Sequence, residues 1–194
     1  MIPYGLFNVL SLNLYEFGNT YIMEGKFDRV LLRPVSSLFQ ILFENFRVES
    51  FHEALTGVAI VAYTAHVMHL EWHAKDALLL IVFALCGGAI YVSFFLLLTT
   101  FSFWFEDRIG VHPPFWNLIA FGRYPLSIYS GYVQFFLSWI VPFGFATFYP
   151  GARLLHHSEY FRYALLVPVI ALACMVAAGF AWSRGVRHYS STGS

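Results

Sequence analysis

The sequence predicts an all-α polytopic transmembrane helical bundle, and three observations carry that prediction. Of its 194 residues, 59% are hydrophobic and 11% charged, against about 45–50% and 25% in soluble domains. Four runs have the roughly 20 mostly apolar residues needed to cross about 30 Å of hydrocarbon. The basic residues fall in the short connections and alternate in abundance from one connection to the next, as topology rules require. Eleven basic residues balance eleven acidic ones, so a nucleic-acid partner is not expected.

The elements follow in chain order within a single transmembrane domain, 1–194. Residues 2–22 are apolar but carry Asn8, Asn13 and Glu16, which suits the tail of a span better than a whole one. No basic residue precedes Lys26, so the segment does not read as a signal peptide. A polar stretch, 25–47, comes next. The four clear spans are 54–70, 77–105, 126–150 and 163–182. The second is long enough to tilt, and Pro142 and Pro168 predict kinks in the third and fourth. Phe103, Trp104 and Phe105, and likewise Phe148 and Tyr149, suit interfacial belts. Ala173, Ala177 and Ala181, with Cys174 and Ala178, give the last span small residues at close-packing intervals. Cys86 and Cys174 lie inside apolar runs, where a thiol behaves as a small hydrophobe.

Orientation follows from Lys and Arg. One side collects Lys26, Arg29, Arg33, Arg47, Arg108, Arg123, Arg184 and Arg187, the other only Lys75, Arg153 and Arg162. The richer side faces the cytoplasm. Segments 25–47 and 106–125 and the carboxyl terminus are therefore expected to be cytoplasmic.

Within 25–47, Pro34 restricts Arg33 to extended backbone and is suited to open a helix. From there Val35, Leu38, Phe39, Leu42, Phe43 and Phe46 recur on one helical face, which predicts an amphipathic helix in the inner headgroup plane. The preceding KFDRVLLR mixes cations with apolar residues. Composition alone leaves it open between a positive-inside anchor and a docking element.

Chemistry-bearing constellations are few. His66, His69 and His73 fall on one face of an unbroken helix and are candidate zinc or copper ligands. Placement of His66 and His69 within the bundle and His73 among headgroups is the favoured reading, because no carboxylate or thiol completes a shell. Haem ligation would call on histidines from two helices, and only one span offers them. The acids Glu71, Asp76, Glu106, Asp107 and Glu159 sit at span ends or in loops, which disfavours a proton path and suits an apolar or amphipathic cargo. A phosphate loop is missing from the sequence: Gly25 and Lys26 form the only Gly-Lys pair, and Phe27 follows. No enzymatic activity and no cofactor are expected for this chain.

The stretch GKFDRVLLRP matches G-x-F-D-x-x-L-L-R-P at Gly25, Phe27, Asp28, Leu31, Leu32, Arg33 and Pro34. Further blocks are FGRYPLSIY (121–129), FFLSWIVPFGFATFYPGARLL (135–155) and GVRHYSSTGS (185–194). With these the chain resembles the permease subunits of ABC exporters of the type-2 membrane-domain family, which includes daunorubicin-resistance-like permeases. The resemblance implies an ATP-driven exporter in the bacterial inner (cytoplasmic) membrane, a second permease half, and separate ATPase subunits that bind ATP and Mg. It implies ATPase-coupling roles for Gly25, Phe27, Asp28, Arg29, Arg33 and Pro34, and for Arg123, Tyr124 and Pro125 in the second cytoplasmic connection. The six-span pattern also implies that a first span and much of a second precede Met1. The alternative is a non-transporting membrane scaffold that recruits a cytoplasmic partner through residues 25–47.

Overall fold

A computed structural model describes residues 1–105, 112–155 and 158–190, and every regular element among them is helical. The centre of the bundle is α5 (Ala74–Thr100), extended after one residue by the short α6 (Ser102–Phe105). Half of its most apolar window is buried, against 22% for α10 (Phe161–His188). One therefore forms the hub and the other a wall.

Helix α1 (Ile2–Tyr15), continued by a π-helical turn at Gly18–Met23, runs parallel to α5. A Cβ on Gly87 would press on Pro3, Phe7 packs on Tyr91 and Phe95, the Thr99 hydroxyl donates to the Leu14 carbonyl at 3.2 Å, and Phe17 meets Phe103. Helix α4 (Phe51–Val67) returns antiparallel to α1. A Cβ on Gly5 would lie 2.5 Å from the Ala54 nitrogen, so this crossing has no room for a larger residue at position 5. Outward, α4 exposes Leu55, Val58, Ile60 and Tyr63, and α10 exposes Leu165, Val169, Leu172 and Val176. Apolar faces this wide are suited to lipid.

Two helices, Ala74–Phe105 and Phe161–His188, are long and apolar enough to cross a membrane, or three if a bent pair counts as one span. The expectation of four spans and a partial one is met only in that coarser form. The 17 residues of α4 rise about 25 Å at 1.5 Å each, short of a full hydrocarbon core. The third predicted span, 126–150, is not straight. It divides into Gly131–Ile140, containing α8 (Gly131–Phe135), and Gly144–Leu154, containing α9 (Tyr149–Leu154), with 83° between them. Pro142 is the cause: it lacks an amide proton and drives Val141 out of helical geometry to φ −113, ψ 90. A hydrogen bond between Ser138 and Tyr149 hydroxyls at 2.9 Å fastens the two arms. At Pro168, by contrast, α10 runs on unbroken. The helix expected from Pro34 begins three residues later, as α3 (Ser37–Phe43), because residues 32–35 form turns and bends.

Candidate functional site

The polar stretch closes one end of the bundle. Gly25 has φ 70, a conformation that costs a side-chain-bearing residue about 1 kcal/mol or more. The reversal it makes points the short α2 (Phe27–Leu31) back under the helices. Phe27 is fully buried there and stands edge-on to Phe17, Phe103, Trp182 and Tyr189, with centroids 4.9–6.1 Å away. Edge-on geometry sets the positive ring edge against the negative face, adding to burial. Gly185 makes the approach possible, since a Cβ there would overlap the Phe103 ring.

Polar groups fix this end further. The Tyr189 hydroxyl donates to Asp28 Oδ1 at 3.1 Å, Trp182 Nε1 donates to the Ser37 hydroxyl at 3.2 Å, and Gln40 Nε2 donates to the Val30 and Val35 carbonyls at 3.1 and 2.8 Å. Burial first, then the bond to Asp28, pushes the Tyr189 phenol up to about 12. The phenol therefore stays protonated as a donor at any physiological pH.

The motif is thereby split in two. Gly25, Phe27 and Asp28 serve the chain's own packing, whereas Leu31 (45%) and Leu32 (84%) are exposed together with Arg29, Arg33 and Pro34. Among the described residues, neither Arg29 nor Arg33 has an ion pair, and Lys26 is paired with Glu24 at 2.8 Å. Arg184 and Arg187 lie on the last turns of α10, at the same end. Lys75, at the start of α5, and Arg153, over the Phe161 ring, belong to the opposite end.

Arg123, Tyr124 and Pro125 are not brought to this cluster. Helix α7 (His112–Leu118) and the 3₁₀ turn Ile119–Arg123 pack back into the bundle. Trp116 lies against Phe7 and Phe95, and Gly122 faces the Tyr91 hydroxyl and Thr147. Tyr124 is exposed there. Residues 106–111 lie outside the described residues.

The histidine face does not form. Helix α4 ends at Val67, His69 takes φ 50, and His66 and His69 are exposed instead of sitting within the bundle. His73 caps α5 beside Asp76. No group of three metal-ligating side chains occurs among the described residues.

Three side chains escaped sequence reasoning. Tyr189 and Trp182 complete the Phe27 cluster; Tyr189 lies in the block GVRHYSSTGS, which carries no indication of what it touches, and Trp182 lies outside that block. Glu53 lies in the first turn of α4 and accepts a hydrogen bond from Asn8 at 2.6 Å. A small cavity there is shared with Tyr91, nine residues and about 14 Å above the end of α5. A span boundary at residue 54 leaves this acid just outside the apolar run, although it reaches the level of Tyr91 in the bundle.

Compared with known proteins, residues 1–193 match the model of the ABC-2 family transporter protein family, and the chain belongs to that family. It is a membrane protein of the ABC-transporter permease type. Neither the curated proteins nor the solved structures gave a significant match.

Proposed function

We propose that the chain is the membrane-spanning permease subunit of an ATP-driven exporter, and that residues 25–34 couple it to a separate ATPase subunit that binds ATP and Mg. The carrying observation is the division of the motif. Its first half fills the base of the bundle, while Leu31, Leu32, Arg33 and Pro34 are exposed. Leu32, 84% exposed, costs solvation free energy unless a partner covers it. Because Phe27 touches Phe17, just after α1, and residues of α6 and α10, a push on the exposed half is delivered to several helices at once. ATPase closure then moves the base of the bundle as a unit, and two permease halves alternate access to a path between them.

The richer basic end is cytoplasmic in this reading, in a bacterial inner membrane. The apolar crevice of about 200 Å³ between Ile2, Gly57, Phe83 and Pro150 favours an apolar or amphipathic cargo. Arg123, Tyr124 and Pro125 form a second, separate contact for the ATPase or for the other half.

The test is co-purification of the chain with a co-expressed ATPase subunit. Leu31→Ser with Leu32→Ser is expected to lose the ATPase while keeping the wild-type melting temperature. Retention at wild-type level removes the coupling role, and recovery of some other soluble protein supports the scaffold alternative instead.

A further inference from the structure

Beside the coupling stretch lies a polar hollow of about 310 Å³, at the lower end of the range for small-ligand sites, roughly 300–1,000 Å³. Its walls include Lys26, Arg29 and Arg33 from one side, and Tyr21, Glu44 and Asn45 from the other. Lys26 precedes α2, Arg29 lies on it and Arg33 follows it in the bend, and all three line the same hollow. The opposing groups are already engaged: Glu44 accepts from the Tyr21 hydroxyl at 2.6 Å, Asn45 donates to Asn13 at 2.7 Å, and Glu24 holds Lys26. Lys26 is balanced by Glu24, so Arg29 and Arg33 face Glu44 as the one carboxylate in the lining and leave the hollow with a net positive charge. Charge of that sign and density calls for an anion, and planar guanidinium groups suit a phosphate.

We propose that this hollow binds the phosphate of an anionic phospholipid from the inner leaflet. The lipid source is favoured by what borders the site. Glu44 and Asn45 follow α3 directly, and α3 with its flanks leaves Val35, Phe39, Phe43 and Phe46 exposed, Phe39 stacked on Phe43 at 4.7 Å. An apolar face beside a basic hollow matches a molecule with a phosphate head and acyl tails. Leu31 and Leu32 are not among its lining residues, so a bound lipid would brace the coupling stretch without covering them. The inference rests on the cytoplasmic placement proposed above.

The test uses the full chain in nanodiscs without any ATPase, and reads the retention of phosphatidylglycerol relative to phosphatidylcholine. Wild type is expected to favour phosphatidylglycerol, and R29Q/R33Q to lose that preference by about fivefold per cation removed. Glu44→Gln, which keeps an acceptor for Tyr21, is expected to raise it. Equal retention of both lipids by wild type, an unchanged preference in R29Q/R33Q, or a fall in Glu44→Gln overturns the proposal. So does stabilisation of wild type by millimolar inorganic phosphate with no lipid preference, which would make the ligand a free anion. Loss of ATPase co-purification by R29Q/R33Q with lipid preference intact assigns the cations to an acidic protein partner and also overturns it. Coupling fails separately, through the Leu31 and Leu32 variant, whatever the lipid result.

Discussion

Replacing Tyr189 by Phe isolates the latch between the two ends of the chain. The ring keeps its packing, 4.9 Å from Phe27 and 6.2 Å from Phe103, and only the donor to Asp28 is lost. A hydrogen bond to a charged group is worth about 1.5–3 kcal/mol. At 3.1 Å this one is longer than the roughly 2.7–2.9 Å of strong charge-assisted bonds, and Asp28 is partly open to solvent, so about 1 kcal/mol is the reasoned value. For a chain of this size that lowers the melting temperature by about 2–4 °C. Asp28→Ala costs more, because Asp28 has further interactions. The assay is a double-mutant cycle by thermal unfolding in detergent, with an expected coupling of about 1 kcal/mol between the two sites. Additivity within about 0.3–0.5 kcal/mol, the scatter of independent sites, would refute the latch. The pH dependence checks it separately. A tyrosine whose folded value is raised contributes stability that is complete below its ordinary value of about 10 and is lost as pH climbs. The gap between wild type and Tyr189→Phe should therefore be flat up to pH 10 and close as pH approaches about 12.

Three further outcomes are expected. Gly185→Ala forces a Cβ into the Phe103 ring, and overpacking of this kind destabilises by about 1–3 kcal/mol, read as a lower melting temperature with no change in membrane insertion. Phe27→Ala empties the centre of the aromatic cluster at a cost of about 3–5 kcal/mol, so most of the protein should be lost from detergent extracts, whereas Phe27→Leu should be recovered. Glu53→Gln keeps an acceptor for Asn8 and should melt like wild type, while Glu53→Ala leaves that buried amide unpaired and should cost about 1–3 kcal/mol.

Length and hydropathy made the helical class and the two long spans legible, because the helices at 74–105 and 161–188 are long and apolar enough to cross a membrane. The break at 141–143 was legible in place but not in size. A proline announces a kink, yet neither the 83° angle nor the Ser138–Tyr149 hydrogen bond across the bend follows from the proline alone. The same limit applies to the site. Gly25, Phe27 and Asp28 stood out as a motif, but the hydrogen bond between Asp28 and Tyr189 joins residues 161 positions apart, a separation that no helical period encodes. The histidine face failed for a local reason. An i, i+3, i+7 argument assumes an unbroken helix, and α4 stops at Val67 with His69 in the left-handed region. Helix α3 shows the converse: of the apolar stripe read as an in-plane face, Phe39 and Phe43 are exposed while Leu38 and Leu42 pack on the core, and Ile41, outside the stripe, is the fully buried residue.

Coupling through the exposed half of the motif is tested most directly by stimulated ATP hydrolysis in the reconstituted complex. Wild-type permease and Leu31→Ser/Leu32→Ser permease would be compared with the same ATPase subunit, each with its melting temperature measured alone. Equal melting and a loss of permease-dependent ATP hydrolysis are expected in the variant. Equal hydrolysis by the two complexes would contradict it.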